Sequence, residues 1–247
     1  MEPFRFDPDL ISQHIIKYGV DVRPGINLEL EKTKLQDFGN CLIEQYDNVF
    51  ETLQSGTRQF NISKTFQLDG GKQARLPTFV LTARGLVFIF PKRLFVGISQ
   101  DLDLGNVDNI FLEAMRQLRR RFSDKVVARV NLTHELIFNT DKESSLDIAT
   151  SYLAPGRWKE GLRNMRIYLE STHDGRNVAI EIKPILQGEA GRPPVAPVES
   201  AKYGMAVNAN LNAVCAEKSV SRPEIVNLQL FSEHFIPQEL LNYLNGV

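Results

Sequence analysis

The sequence predicts an α+β fold, a mostly antiparallel sheet with helices packed on one face. Three observations predict it. Several stretches repeat apolar residues at three- and four-residue steps, the spacing of one helix face. Others alternate apolar and polar residues, as half-buried strands do. Between the alternating stretches lie Asp69-Gly70-Gly71, Ala83-Arg84-Gly85 and His173-Asp174-Gly175-Arg176, tight turns that join antiparallel neighbours.

The first strand is predicted over residues 11–22, where Ile15, Tyr18, Val20 and Val22 are apolar or aromatic, with a helical turn ahead of it. Arg23-Pro24-Gly25 is turn chemistry, and Ile26, Leu28 and Leu30 predict a short extended arm. Thr33-x-x-Gln36 fits a capping box and opens the longest helix. There Leu35, Phe38, Leu42, Tyr46, Val49 and Leu53 step by three and four until Gly56 stops it. An aromatic stripe of this kind is the side that packs on a sheet rather than a cofactor groove. Phe60, Ile62, Phe66 and Leu68 predict the next strand. Phe79–Thr82 and Leu86–Phe90 predict a tight hairpin, with Pro91 marking an edge or a bulge. Gly70-Gly71-Lys72 lacks the remaining positions of a phosphate loop and the helix that would follow.

Leu94, Val96 and Ile98 resume the alternation and lead into the central stretch, Asn106 to Phe138. Its first half is a helix with Val107, Ile110, Phe111, Ala114, Leu118 and Phe122 on one face, capped by Asn106 or Asp108. Its second half is a long strand with Val126, Ala128, Val130, Leu132, Leu136 and Phe138 on one face. His134 shares that face and reads as a core or sheet-edge histidine with one hydrogen-bond partner, rather than a site residue in a pocket. Further on, residues 146–153 predict a short helix. Met165, Ile167 and Leu169, then Val178, Ile180 and Ile182, predict a hairpin. Residues 187–202 form a Pro- and Gly-rich loop. Tyr203 to Ala213 alternates most cleanly, with Asn208, Asn210 and Asn212 on the face that meets water. Ser221-x-x-Glu224 is a second capping box, opening a helix with Ile225, Leu228, Phe231 and Phe235 on one face. Pro237 starts or kinks its last turn.

The chain has 247 residues, 43% hydrophobic and 24% charged, with a formal net charge of −1. This balance supplies no global pull toward nucleic acid or anionic membrane. The order of elements suggests two related β-α-β-β halves, 11–90 and 93–186, within a single domain spanning 1–247. Only about forty-five residues follow the loop, too few for an independent core. Cys41 and Cys215 belong to no cysteine framework and read as reduced thiols. The N-terminus lacks a signal-peptide pattern, and no apolar run of about eighteen residues spans a membrane. A cytoplasmic location is therefore expected, and the sequons at Asn61 and Asn131 read as chance.

Three stretches carry a resemblance. They are the hairpin Phe79-Val80-Leu81-Thr82-Ala83-Arg84-Gly85-Leu86-Val87-Phe88 with Pro91-Lys92-Arg93-Leu94, the helix feeding Ala128-Arg129-Val130-Asn131, and the late alternating strand followed by Phe231-Ser232-Glu233-His234. Together they resemble a sporadically distributed family of uncharacterised bacterial proteins of about this length. That resemblance implies the same order of elements and no particular activity.

Three functions compete. No H-E-x-x-H, G-x-S-x-G, complete nucleotide loop or clustered metal ligand occurs in the sequence. No cofactor or metal is implied, and a non-catalytic interaction or accessory protein is the leading expectation, with an unknown protein partner. The second is nucleic-acid binding through Arg116, Arg119, Arg120 and Arg121 at a helix end, aided by Lys125 and Arg129. Carboxylate-paired arginines on a solvated helix end are the plainer account, so nucleic acid is not favoured. The third is an enzyme or small-ligand binder with a pocket between sheet and helices, near His134, Glu135 and the asparagine row. Exposed strand edges make a homodimer plausible.

Overall fold

The computed structural model describes residues 5–67, 73–93, 105–139, 166–173, 176–186, 203–213 and 222–245. A 3₁₀ turn, Pro8–Leu10, leads into β1 (Ile11–Arg23) and α1 (Lys32–Gln45). Four strands follow: β2 (Thr52–Ser55), β3 (Gln59–Gln67), β4 (Gln73–Thr82) and β5 (Gly85–Arg93). Then come α2 (Val107–Arg121), β6 (Val126–Asn139), β7 (Ile167–His173), β8 (Arg176–Leu186) and β9 (Tyr203–Ala213). The described chain closes with α3 (Arg222–His234), a π-helical segment (Phe235–Leu240) and α4 (Leu241–Leu244).

The fold is α+β, as the periodicities predict. The nine described strands lie in one sheet of order β2-β3-β4-β5-β1-β6-β9-β8-β7, and every neighbouring pair is antiparallel. Alternation along each strand becomes a division between two faces. Leu53, Ile62, Phe79, Phe88, Tyr18, Leu132, Leu211 and Val178 stand in one cross-strand row. Phe38 of α1 meets Phe79 edge to face at 5.7 Å. Phe111 of α2 stacks on Tyr18 at 4.0 Å between centroids, and Gln229 of α3 donates to the Tyr18 hydroxyl. All three longer helices therefore cover the face that carries this row. The next row along, Asn61, Val80, Val87, Gly19, Asn131, Asn212 and Asn177, belongs to the opposite face.

The pairing divides the strands into two groups. β1 pairs with β5, the last strand of the β2–β5 meander, and β6 pairs with β9, the last strand of the β7–β9 meander. Each of these strand groups, 11–93 and 126–213, thus closes back on its own first strand. The two first strands, β1 and β6, meet at the centre of the sheet.

Register shifts bend the sheet at defined places. At Ile62/Ser63 the extra residue on β4 is Thr78, whose hydroxyl donates to the Ile62 carbonyl. At Ile11/Gln13 the extra residue is Ser12, which donates to the Ile137 carbonyl at 3.0 Å. A hydroxyl thus satisfies a carbonyl that the disrupted ladder leaves open. Pro91 also lies beside a shift, at His14/Ile15. It marks a bulge and not an edge, because β5 is internal.

Several local expectations are corrected. α1 ends at Gln45, not near Gly56. Tyr46 leaves helical geometry, and its carbonyl accepts from Val49 and Phe50 in a turn. Val49 stays fully buried within that turn, and Leu53 pairs with Ile62 in β2, so the apolar spacing continues while the backbone changes. The Thr33 capping box does not form, since the helix begins one residue earlier with no side-chain cap. Asn27 instead accepts from the backbone N–H groups of Glu29 and Leu30. That turn replaces the expected extended arm, burying Ile26 and Leu28 and leaving Leu30 83% exposed. Asn106 does cap α2, accepting from the Asn109 N–H. Pro237 lies inside the π-helical segment, a break in the helix rather than a start. The Asp69-Gly70-Gly71 and Asp174-Gly175 turns, the 146–153 helix, the 187–202 loop, Cys215 and the Ser221 cap fall outside the described residues.

The sheet–helix interface is a continuous aromatic core. Phe38, Phe60, Phe79, Phe88, Phe90 and Phe111 are fully buried, and consecutive rings meet at 4.8–6.3 Å, mostly edge to face or offset. Phe88→Ala is expected to cost about 3–5 kcal/mol, because the surrounding rings close only part of the cavity. Urea unfolding should show a lower midpoint at unchanged slope. Tyr18→Phe keeps the ring but leaves Asp108 without its buried donor, and is expected to cost about 1–3 kcal/mol in the same measurement.

Candidate functional site

Two of the four predicted arginines line a cleft of about 410 Å³ between α1, α2 and α3. Its apolar wall is Leu112 and Met115 of α2, Ile225 of α3 and the Tyr46 ring beyond α1. Its polar side is Asn109, Glu113, Arg116 and Arg119, one turn apart along α2. The amphipathic pattern of α2 produces this arrangement. Val107, Ile110, Phe111, Ala114 and Leu118 face the core, which turns Arg116, Arg119 and Arg120 outward.

Glu113 organises the cleft's charge. Its carboxylate accepts two bonds from Arg116, from Nε and Nη2, each 2.7 Å, and a third from Gln117. These bonds, Arg116 first, hold the Glu113 carboxyl below the usual carboxylate range, and the same pairing raises Arg116. Burial and then Glu113 push the Tyr46 hydroxyl up. Arg121 points elsewhere, donating to Gln117. Of the supporting cations, Lys125 pairs with Glu31 and Asp124, and Arg129 pairs with Asp21. The plain account of carboxylate-paired residues thus describes Arg116, Lys125 and Arg129. The structure gathers Arg116 and Arg119 at one cleft and does not gather all four arginines into one phosphate grip.

His134 lies on the helix-covered face, as its position in the alternation predicts, and is buried. Its single partner is His14, which sequence reasoning did not single out. His14 Nε2 and His134 Nδ1 are 3.0 Å apart. The available signal was register. His14 opposes Leu136 and His134 opposes Ile16, so the two histidines are diagonal neighbours on the central strand pair. The bond between two neutral rings uses one donor and one acceptor, and the far nitrogen of His134, Nε2, is buried with no hydrogen-bond partner. Among the described residues no group of three or more His, Cys, Asp or Glu side chains gathers in a metal-holding arrangement.

The asparagine row lies on the opposite side of the sheet. Asn208 opposes Glu135, and Asn210 opposes Thr133. Glu135 forms an ion pair with Lys17 on that face, with side-chain exposures of 22% and 15%. His134 and the asparagines therefore cannot act on one ligand. The expectation that this row simply meets water also needs correcting. Asn208 and Asn210 are half-buried, and the Oδ1 atoms of Asn61, Asn131 and Asn210 are buried without partners. The side chain of Asn212 lies outside the described residues.

No protein-family model matches the chain, and no curated protein matches it.

Burial pushes the His134 imidazole down to about 3 from 6.5, with smaller contributions from His14 and Lys92. The unfolded chain protonates this ring near pH 6.5, whereas the folded chain keeps it neutral until about pH 3. Between those values the unfolded state binds the extra proton, so stability falls as the pH falls and is fully present above about pH 7. The contribution lost by pH 4 is on the order of 3 kcal/mol. Urea midpoints between pH 7.5 and 4 should therefore fall more steeply for the wild-type chain than for His134→Leu. Parallel profiles would show that His134 does not carry the effect.

Proposed function

We propose that this chain is a non-catalytic interaction or accessory protein that docks a protein partner at the cleft bounded by Arg116 and Arg119. Following the bacterial family it resembles, we place it in a bacterial cytoplasm. The observation that carries the reading is the cleft itself, with an apolar wall of Leu112, Met115 and Ile225 beneath a guanidinium rim. Such a surface suits a partner segment that presents an apolar side chain beside a carboxylate, since arginine and buried apolar anchors dominate interface energy. The rest of the molecule supports it indirectly. Aromatic rings fill the sheet–helix interface that an enzyme pocket would occupy, and the His14–His134 pair is separated by the sheet from the Lys17–Glu135 pair.

Nucleic-acid binding is the second reading, favoured by the outward-facing Arg120 beside the cleft. It is weakened by Glu113, which occupies the fork of Arg116. Native mass spectrometry of the protein purified gently from its own cells separates the readings. A stoichiometric protein partner is expected, and Arg116→Glu with Arg119→Glu should reduce its retention about tenfold or more, without lowering the chain's thermal midpoint. A retained small molecule with no protein partner would overturn the proposal. A bound nucleic acid with steeply salt-dependent affinity would replace it with the second reading.

A further inference from the structure

We propose that two copies of this chain join edge to edge through β7, forming one continuous sheet across a two-fold axis at Tyr168. β7 ends the sheet, and among the described residues it pairs with β8 alone. Its outward backbone groups are a template for another strand. The side chains along it are left incomplete in the same way. Tyr168 is 58% exposed. Ile167 and Leu169 extend the core rows of Ile182 and Ile180 to the edge, yet remain only partly buried. A strand added here would cover them.

Charge selects a second copy as that strand. In an antiparallel pair, opposed residues point to the same face. A two-fold axis normal to the sheet must therefore set one residue against its own copy. Centred on Glu170, the axis opposes two carboxylates. Centred on Leu169, it sets Tyr168 against Glu170 and Ile167 against Ser171. Centred on Tyr168, it sets Arg166 against Glu170 of the second copy, twice, and Ile167 against Leu169, also twice. The tyrosine rings then meet on the axis. Only this last register satisfies both the charges on the polar face and the apolar rows on the core face. Arg166 already bonds Glu181 on its own β8, but its side chain is 64% exposed, and a guanidinium has further donors for a second carboxylate.

The test uses the full chain. Sedimentation equilibrium at about 50 μM should give twice the 28.0 kDa chain mass. Glu170→Arg sets Arg166 against arginine at two symmetric places, and should weaken dimerisation about tenfold. Register is read separately, on a background carrying Cys41→Ser and Cys215→Ser. Tyr168→Cys should cross-link to its own copy with a short bis-maleimide. Thr172→Cys should not, because residues four positions from the axis lie roughly 27 Å from their copies at ~3.4 Å per residue. Tyr168, Glu170 and Thr172 are exposed, and unchanged thermal midpoints will show that the variants fold. A monomer at ~100 μM, a dimer indifferent to Glu170→Arg, or equal cross-linking at 168 and 172 would each overturn the proposal.

Discussion

Tyr18 ties the sheet to two of the helices that cover it. It lies on β1, near the middle of the central strand pair, and is 1% exposed. Its ring stacks on Phe111 and meets Phe90 edge to face. Its hydroxyl donates to Asp108 at the start of α2 and accepts from Gln229 in α3. Burial, then the Asp108 carboxylate, keep the hydroxyl protonated by raising its pKa far above the usual tyrosine value. A half-buried carboxylate facing the core is costly without a donor, so this bond favours one mutual position of β1 and α2. Apolar burial alone is non-directional. This polar contact turns a greasy layer of rings into a specified arrangement.

The two sheet faces then follow different physics. The helix-covered face spends aromatic volume on tight contact, and its polar members, Tyr18 and His134, each find partners from another element or strand. The other face carries polar side chains that are not fully solvated, including Lys17, Glu135 and the asparagines. Bulges decide which residues belong to which face. Between Arg129 and Val127 the register with β1 shifts. Val127 consequently opposes Val22 and is buried with it, although strict alternation assigns it to the polar side. One inserted residue thus changes the environment of every side chain beyond it.

That is also where the sequence stopped being legible. Alternation marked β6 and β9 most clearly, whereas β1 alternates only loosely and buries both Ile15 and Ile16. The α2 helix was legible from its cap through its last turn, where apolar spacing, Asn106 and the final arginines agree. The α1 helix was over-extended, because burial and helical periodicity coincide at Val49 and Leu53 and only backbone pairing with β3 separates them. His134 was placed on its correct face, but His14 was not paired with it, since diagonal contacts require a register that one strand cannot specify. The cleft was legible only in part. Arg116 and Arg119 follow from the polar face of α2, whereas Tyr46 and Ile225 arrive from helices far away in sequence.

The topology also decides how the sheet ends. Each strand group starts at the centre and returns through a meander, so the longest strands, β1 and β6, occupy the middle and the sheet ends in two edges. β2 is only four residues long. Its Thr52 hydroxyl is engaged with Ser63 and Arg75, the short, tied form by which natural sheets discourage pairing. β7 is seven residues long, carries Glu170 and is directly preceded by Arg166. A strand selected only to end a sheet would be short or uniformly charged. Among the described residues the two edges thus differ in length and in how their side chains are engaged, the contrast from which the edge-to-edge pairing is inferred.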